Sequence, residues 1–118
     1  KDLGGCLMAG KFEIKKSKNG KEYFVLKAGN GQVILQSEQY ESHAACTNGI
    51  ESVRKNSQSE QRFEEKQAKD GRTYFILKAT NGQAIGQSQM YKSPRGMRNG
   101  IDSVRRHAAD ASVSDLRV

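Results

Sequence analysis

Three short runs near the start of the chain alternate apolar and polar residues, and a helical period follows them. Over residues 12–18, Phe12, Ile14 and Lys16 point one way, and Glu13, Lys15 and Ser17 the other. Over residues 22–28, Phe24, Leu26 and Ala28 share one face, and Tyr23, Val25 and Lys27 the opposite one. Residues 32–37 carry Val33, Ile34 and Leu35. Successive side chains of a strand alternate between faces, so these runs predict three strands. Asn19-Gly20 and Asn30-Gly31 separate them. The central residues of a tight hairpin turn need positive φ, which Asn and Gly tolerate, so the strands form an antiparallel meander. Cys46, Gly49, Ile50 and Val53 then recur on one side of a helix predicted over residues 42–55.

The whole pattern returns 51 residues later. Residues 12–55 align with 63–106 without a gap, and 24 of the 44 paired positions are identical. Asp70-Gly71 and Asn81-Gly82 supply the turns, and Met97, Gly100, Ile101 and Val104 the apolar helix face. Ser93 is placed to cap a helix over residues 94–107, with Pro94 at the first helical position, where a missing N–H costs nothing. The third strand is weaker here, because Val33 and Leu35 become Ala84 and Gly86. A glycine inside a strand marks a bulge or a close backbone approach. An interior helix glycine costs roughly 1 kcal/mol relative to alanine. At Gly49 and Gly100 it lies on the buried face, which implies a helix settled closely on the sheet.

These elements define an α+β fold of two tandem β-β-β-α(-β) units with pseudo-twofold symmetry. An antiparallel sheet is expected, with both helices on one face. The expected core is Phe12, Phe24, Leu26, Ile34, Cys46, Ile50 and Val53, with Phe63, Phe75, Leu77, Ile85, Met97, Ile101 and Val104. Residues 1–9 read as an N-terminal extension in which Met8 marks an original start. Residues 10–57 form the first unit, and residues 58–118 the second with its tail. Val113, Leu116 and Val118 suggest a short final strand. One unit alone is near the size at which a core is marginal, so the two are expected to share one domain in a monomer, an intramolecular pseudo-dimer.

Charge and cysteine content narrow the function classes. The net charge is +7 over 118 residues, with a pI near 9.6. Residues 1–56 carry 9 basic and 6 acidic groups, and residues 57–118 carry 11 and 7. The basicity is therefore diffuse; it permits nucleic acid as a partner without a basic tail to point to it. Cys6 and Cys46 occupy non-equivalent places, so no disulfide framework repeats with the fold. Cys46 reads as a small core residue in a reduced, cytoplasmic setting. No run approaches the ~18 apolar residues of a membrane span.

Catalytic and metal chemistry find no constellation. His43 and His107 have no counterpart in the other copy, and with two distant cysteines they lack zinc-ligand spacing. His107 ends a helix, where a cation is favoured. No glycine-rich phosphate loop precedes a helix, so no cofactor is implied. The pairs Glu51–Lys55, Asp102–Arg106, Glu51–Arg54 and Asp102–Arg105 read as solvated helix-face ion pairs. Two surfaces remain. Arg95 and Arg98 replace Ala44 and Thr47 and, with Arg105 and Arg106, form an arc suited to phosphates. Tyr23 and Val25, with Tyr74 and Ile76, face away from the core and define a candidate partner face, although cross-strand pairing alone also accounts for such residues. Gln36-Ser37 and Tyr40 recur as Gln87-Ser88 and Tyr91 and read as loop structure. The leading reading is a non-enzymatic binding module of unidentified ligand. Nucleic-acid binding through the arginine arc is the alternative.

The ordered motifs also resemble a known family. Phe-Glu-x-Lys, Asn-Gly or Asp-Gly, Tyr-Phe-x-Leu-Lys-Ala-x-Asn-Gly-Gln, Gln-Ser-x-x-Tyr and Asn-Gly-Ile-x-Ser-Val-Arg resemble the YegP-like proteins, a bacterial and archaeal family of unknown function. The resemblance spans residues 10–106 and both copies. It implies a meander, a helix and a short C-terminal strand per unit, with the units joined in one sheet and their terminal strands exchanged. It brings no activity, cofactor or catalytic residue.

Overall fold

The computed structural model describes residues 10–116. The N-terminal extension, with Cys6 and Met8, and Val118 lie outside the described residues. The first copy contributes β1 (Lys11–Lys16), β2 (Glu22–Lys27), β3 (Val33–Ser37) and α1 (His43–Asn56). A single 3-10 turn, Glu60–Arg62, leads into β4 (Phe63–Gln67), β5 (Thr73–Lys78), β6 (Ala84–Gln87), α2 (Pro94–Ala108) and β7 (Ser112–Asp115).

Local chemistry sets these boundaries. Gly20 and Gly71 adopt φ of 84° and 91°, the left-handed region their turns require. The side chains of Asn30 and Asn81 brace the other two turns, each accepting from a backbone N–H two residues on at 2.9 Å. Ser42 and Ser93 cap the helices, accepting from Ala45 N and Gly96 N at 3.1 Å. The cap satisfies one of the helix's four orphan donors.

The seven strands form one sheet in the order β4-β5-β6-β3-β2-β1-β7. Its centre is the antiparallel pair β3–β6, where Gln36 lies opposite its own repeat equivalent, Gln87. A pseudo-twofold axis therefore passes between these two residues. The sheet is mixed, not purely antiparallel, because β7 runs parallel to β1. The reason is where the two strands begin. Gly10, just before β1, packs against His107 near the end of α2. Both strands start from that end of the sheet and so run the same way. The second copy's last strand thus closes the first copy's edge. The reverse exchange does not occur: the segment after α1 passes directly into β4 and leaves that edge without a strand among the described residues.

Both third strands carry a bulge. The β2–β3 register shifts between Leu26 and Lys27, and the β5–β6 register between Leu77 and Lys78. One extra residue then faces the core, so Ile34 and Leu35 are both buried. Gly86 is the equivalent of Leu35. A Cβ on Gly86 would lie 2.8 Å from the Gln36 carbonyl oxygen and 3.2 Å from Leu35 Cγ. The weak third strand of the second copy is thus both bulged and closely approached, and Leu35 occupies the space on the axis.

All fourteen expected core residues are buried, joined by Ile14, Leu35, Ala108 and Ala111. Phe12 meets Phe24 edge-on at 5.7 Å, and Phe63 meets Phe75 likewise at 5.5 Å. Both helices cover this phenylalanine side. The helix glycines serve a more specific purpose than closeness alone. A Cβ on Gly49 or Gly100 would collide with the hydroxyl of Tyr40 or Tyr91. These two rings in turn stack on Phe24 and Phe75.

The β4 edge is guarded by charge. Glu65 stands where the first copy has Ile14 and pairs with Arg98 at 3.7 Å. An inward charge on an edge strand opposes pairing with another chain. Glu65→Ile, which installs the first copy's residue, is expected to promote concentration-dependent self-association beyond that of the wild type. Sedimentation velocity over a concentration series tests this; identical sedimentation of the two proteins would refute it.

Candidate functional site

The helix-free face of the sheet is a symmetric array. One row crosses it through Glu13, Val25, Gln36, Gln87, Ile76 and Glu64, in register from β1 to β4. Glu13 receives Lys27 at 3.1 Å and Lys15 at 4.0 Å. Glu64 is held in the same way by Lys78 and Lys66. The hydrogen bond from Lys78, with Lys66 beside it, keeps the Glu64 carboxyl below its ordinary range. Tyr23 lies opposite Lys15 and Tyr74 opposite Lys66, both half-buried.

Val25 does not offer the surface its alternation suggested: it is 3% exposed. The long side chains on its row and strand leave it little access, whereas Ile76 keeps partial exposure. Gln36 and Gln87 are exposed at the centre and, with Ser37, Glu38 and Ser88, line a shallow polar trough of about 300 Å³. The Gln-Ser motif therefore divides in two. Its serines are structural: Ser37 and Ser88 accept from Phe24 N and Phe75 N at 2.9 and 3.0 Å and donate to the next carbonyl. Its glutamines lie on the open face.

The four arginines share α2, but acids accompany them. Arg98 faces Glu65, and Arg106 pairs with Asp102 at 3.6 Å. Arg105 is half-buried and lines a cavity of about 150 Å³ with Glu60, Glu65 and Asp102. Arg95 is exposed. Sequence spacing brings the arginines into one arc; it does not reveal Glu60 and Glu65, which arrive from another element.

Arg54 exceeds its expected role. It meets Glu51 at 3.4 Å, but its guanidinium also lies 5.2 Å from the Phe12 ring centroid and donates to Ala109 O at 3.1 Å. It ties the end of α1 to the last carbonyls of α2, which a helix leaves without internal partners. The signal for this contact is tertiary, since nothing local to Arg54 marks it.

The histidines are structural. His43 Nδ1 lies 2.9 Å from Glu22, and His107 Nδ1 donates to Ser103 O at 2.8 Å. Cys46 is fully buried in the core. Among the described residues no group of three or more His, Cys, Asp and Glu is placed to hold a metal. No described helix is long and apolar enough to cross a membrane.

The fold defines a class: two copies of an α+β unit sharing one sheet, with both helices on one side. The chain belongs to the family described as "Domain of unknown function (DUF1508)", whose pattern matches twice, at residues 17–64 and 68–115. The two matches keep the 51-residue spacing of the repeat (68 − 17 = 51). The chain is 50% identical over 108 residues to the UPF0339 protein PA0329 of Pseudomonas aeruginosa, covering 92% of the chain and 98% of that relative. It is 49% identical over 108 residues to the UPF0339 protein YegP of Escherichia coli K12, with the same coverage. The solution NMR structure of E. coli yegP, a protein of unknown function, superposes with a TM-score of 0.89 at 48% identity, over 93% of this chain and 95% of that one. The UPF0339 protein SO3888 of Shewanella oneidensis gives 0.88 at 48% identity, over 93% of each chain. This is an uncharacterised, YegP-like family with no named catalytic function.

Proposed function

We propose that this protein is a non-enzymatic binding module that receives its partner on the helix-free face of the sheet. The observation that carries the reading is the one-sided cover: two helices pack on the phenylalanine face, while the opposite face presents paired tyrosines, glutamines and Lys–Glu–Lys groups about the pseudo-twofold axis. Val25 acts as a support beneath this surface, and Tyr23, Tyr74, Ile76, Gln36 and Gln87 make the contacts. A reducing, cytoplasmic setting goes with this reading, in which Cys46 serves as a buried core residue.

Capture from native cell extract tests the reading, with the immobilised wild type compared against a Tyr23→Ser/Tyr74→Ser variant, with and without nuclease. A component held by the wild type and lost by the equally well-folded variant is expected, and nuclease sensitivity sorts protein from nucleic acid. Identical capture by both proteins would overturn the surface assignment. Turnover in a hydrolase and transferase screen, abolished by one point substitution, would overturn the non-enzymatic reading. The second reading, nucleic acid on Arg95, Arg98, Arg105 and Arg106, rests on the exposed Arg95, which has no ion pair among the described residues. It requires duplex binding that falls with salt at a log–log slope of about −0.9 per phosphate contact and is lost in Arg95→Ala/Arg98→Ala.

A further inference from the structure

The repeat supplies an internal control for a second site, on the helix side of the molecule. At Tyr91 the surroundings are closed. The Gln89 side chain lies beside the Tyr91 hydroxyl. His107 is anchored on Ser103 through Nδ1, and its Nε2 accepts from Gly29 N at 3.4 Å, bridging α2 to a turn of the other copy. At Tyr40 the neighbours differ. Glu38 replaces Gln89, an acceptor only where the second copy has an amide. Asn56 replaces His107; it holds Ser52 O at 2.9 Å as His107 holds Ser103, but has no second ring nitrogen to reach across.

A cleft of about 470 Å³ opens there, between α1 and the β5–β6 turn of the second copy. Its polar wall includes Tyr40, Asn48, Ser52, Gln39, Gln83 and Glu38. Ala45 and Gly49 of α1 and Ala84 of β6 supply small apolar lining on its two walls. No Lys, Arg or His lines it, in a chain with 20 Lys and Arg. That excludes the cationic clamp a phosphorylated ligand calls for. Amides offer donors and acceptors together, which matches hydroxyl groups that also do both. The volume lies within the usual ~300–1,000 Å³ of small-molecule sites.

We propose that this cleft binds a neutral carbohydrate of one or two rings, laid against Ala45, Gly49 and Ala84 and hydrogen-bonded by Tyr40, Asn48 and Gln83. Burial raises the Tyr40 hydroxyl, which keeps it a donor at neutral pH. The site is separate from the sheet face and stands without it.

Titration of the isotopically labelled protein with glucose, N-acetylglucosamine and maltose, followed by amide NMR shifts, tests the proposal. Glucose 6-phosphate and adenosine are run alongside. Saturable shifts at Asn48, Gly49, Ser52 and Gln83 are expected for a neutral sugar. Tyr40→Phe, which keeps the stacked ring, is expected to weaken binding about three- to tenfold, the loss of one hydrogen bond. Tyr91→Phe is expected to leave it unchanged. Absence of saturable shifts with all three sugars up to tens of millimolar overturns the proposal. So does tighter binding of glucose 6-phosphate or adenosine, or an equal loss in Tyr91→Phe.

Discussion

Gly86→Leu is expected to destabilise the protein by about 3 kcal/mol, at the upper end of the overpacking range. The residue faces its own repeat equivalent, Leu35, across the pseudo-twofold axis, and a Cβ there would meet the Gln36 carbonyl at 2.8 Å. That contact is with backbone, so no rotamer change relieves it. The β3–β6 seam must spread, and among the described residues that pair is the only strand pairing between the two meanders. A loss of this size lowers the melting temperature of a chain this long by roughly 10 °C, read by thermal or urea unfolding. Gly86→Ala places the same Cβ against the same carbonyl and is expected to lose at least half as much. The decisive comparison is Leu35→Gly/Gly86→Leu, which moves the large side chain to the other side of the axis. Two side chains competing for one volume are coupled, so the double variant is expected to be more stable than the summed single losses by about 1–3 kcal/mol. Strictly additive losses would show that the two positions do not share that space.

The difference between Leu35 and Gly86 is visible in the repeat alignment, but its cause is not. Alternation and turn chemistry locate the strands, and the 51-residue spacing locates the helices, because each depends on neighbours a few residues away. Ser42, Ser93 and Pro94 mark helix starts for the same reason. What remained hidden depends on the axis. Leu35 is core because a bulge turns Ile34 and Leu35 to the same side, and strict alternation assigns only one of them there. Gly49 answers to the Tyr40 hydroxyl, nine positions earlier and on another element. The arginine arc on α2 was legible as an arc; the acids that face it were not, since Glu65 comes from β4. The parallel placement of β7 could not follow from periodicity, which carries no strand direction; the family resemblance implies exchanged terminal strands without their direction, and only the β7 half of that exchange is present among the described residues. The same limit applied to the open face, where register alone brings Gln36 to Gln87.

Phe24→Ala and Phe75→Ala are each expected to cost about 3–5 kcal/mol and to melt the protein in a single transition. Both rings are fully buried in equivalent settings, edge-on to Phe12 or Phe63 and stacked on Tyr40 or Tyr91. Two independent cores would behave differently: Phe75→Ala would unfold the second copy and leave the first protected. The packing argues against that outcome. Helix α1 contacts β5 and β6 of the other copy as well as its own β2, and α2 contacts β3 as well as β5. Residues of both copies form one buried cluster. Arg54 ties the end of one helix to the end of the other, and β7 of the second copy closes β1 of the first. Damage in either half is therefore shared. Native-state amide exchange read separately for β2 and β5, together with circular dichroism, provides the measurement. Protection lost evenly from both strands in either variant, with one coincident transition, is the expected result. Loss confined to the substituted copy would show that the two units fold independently despite their common sheet.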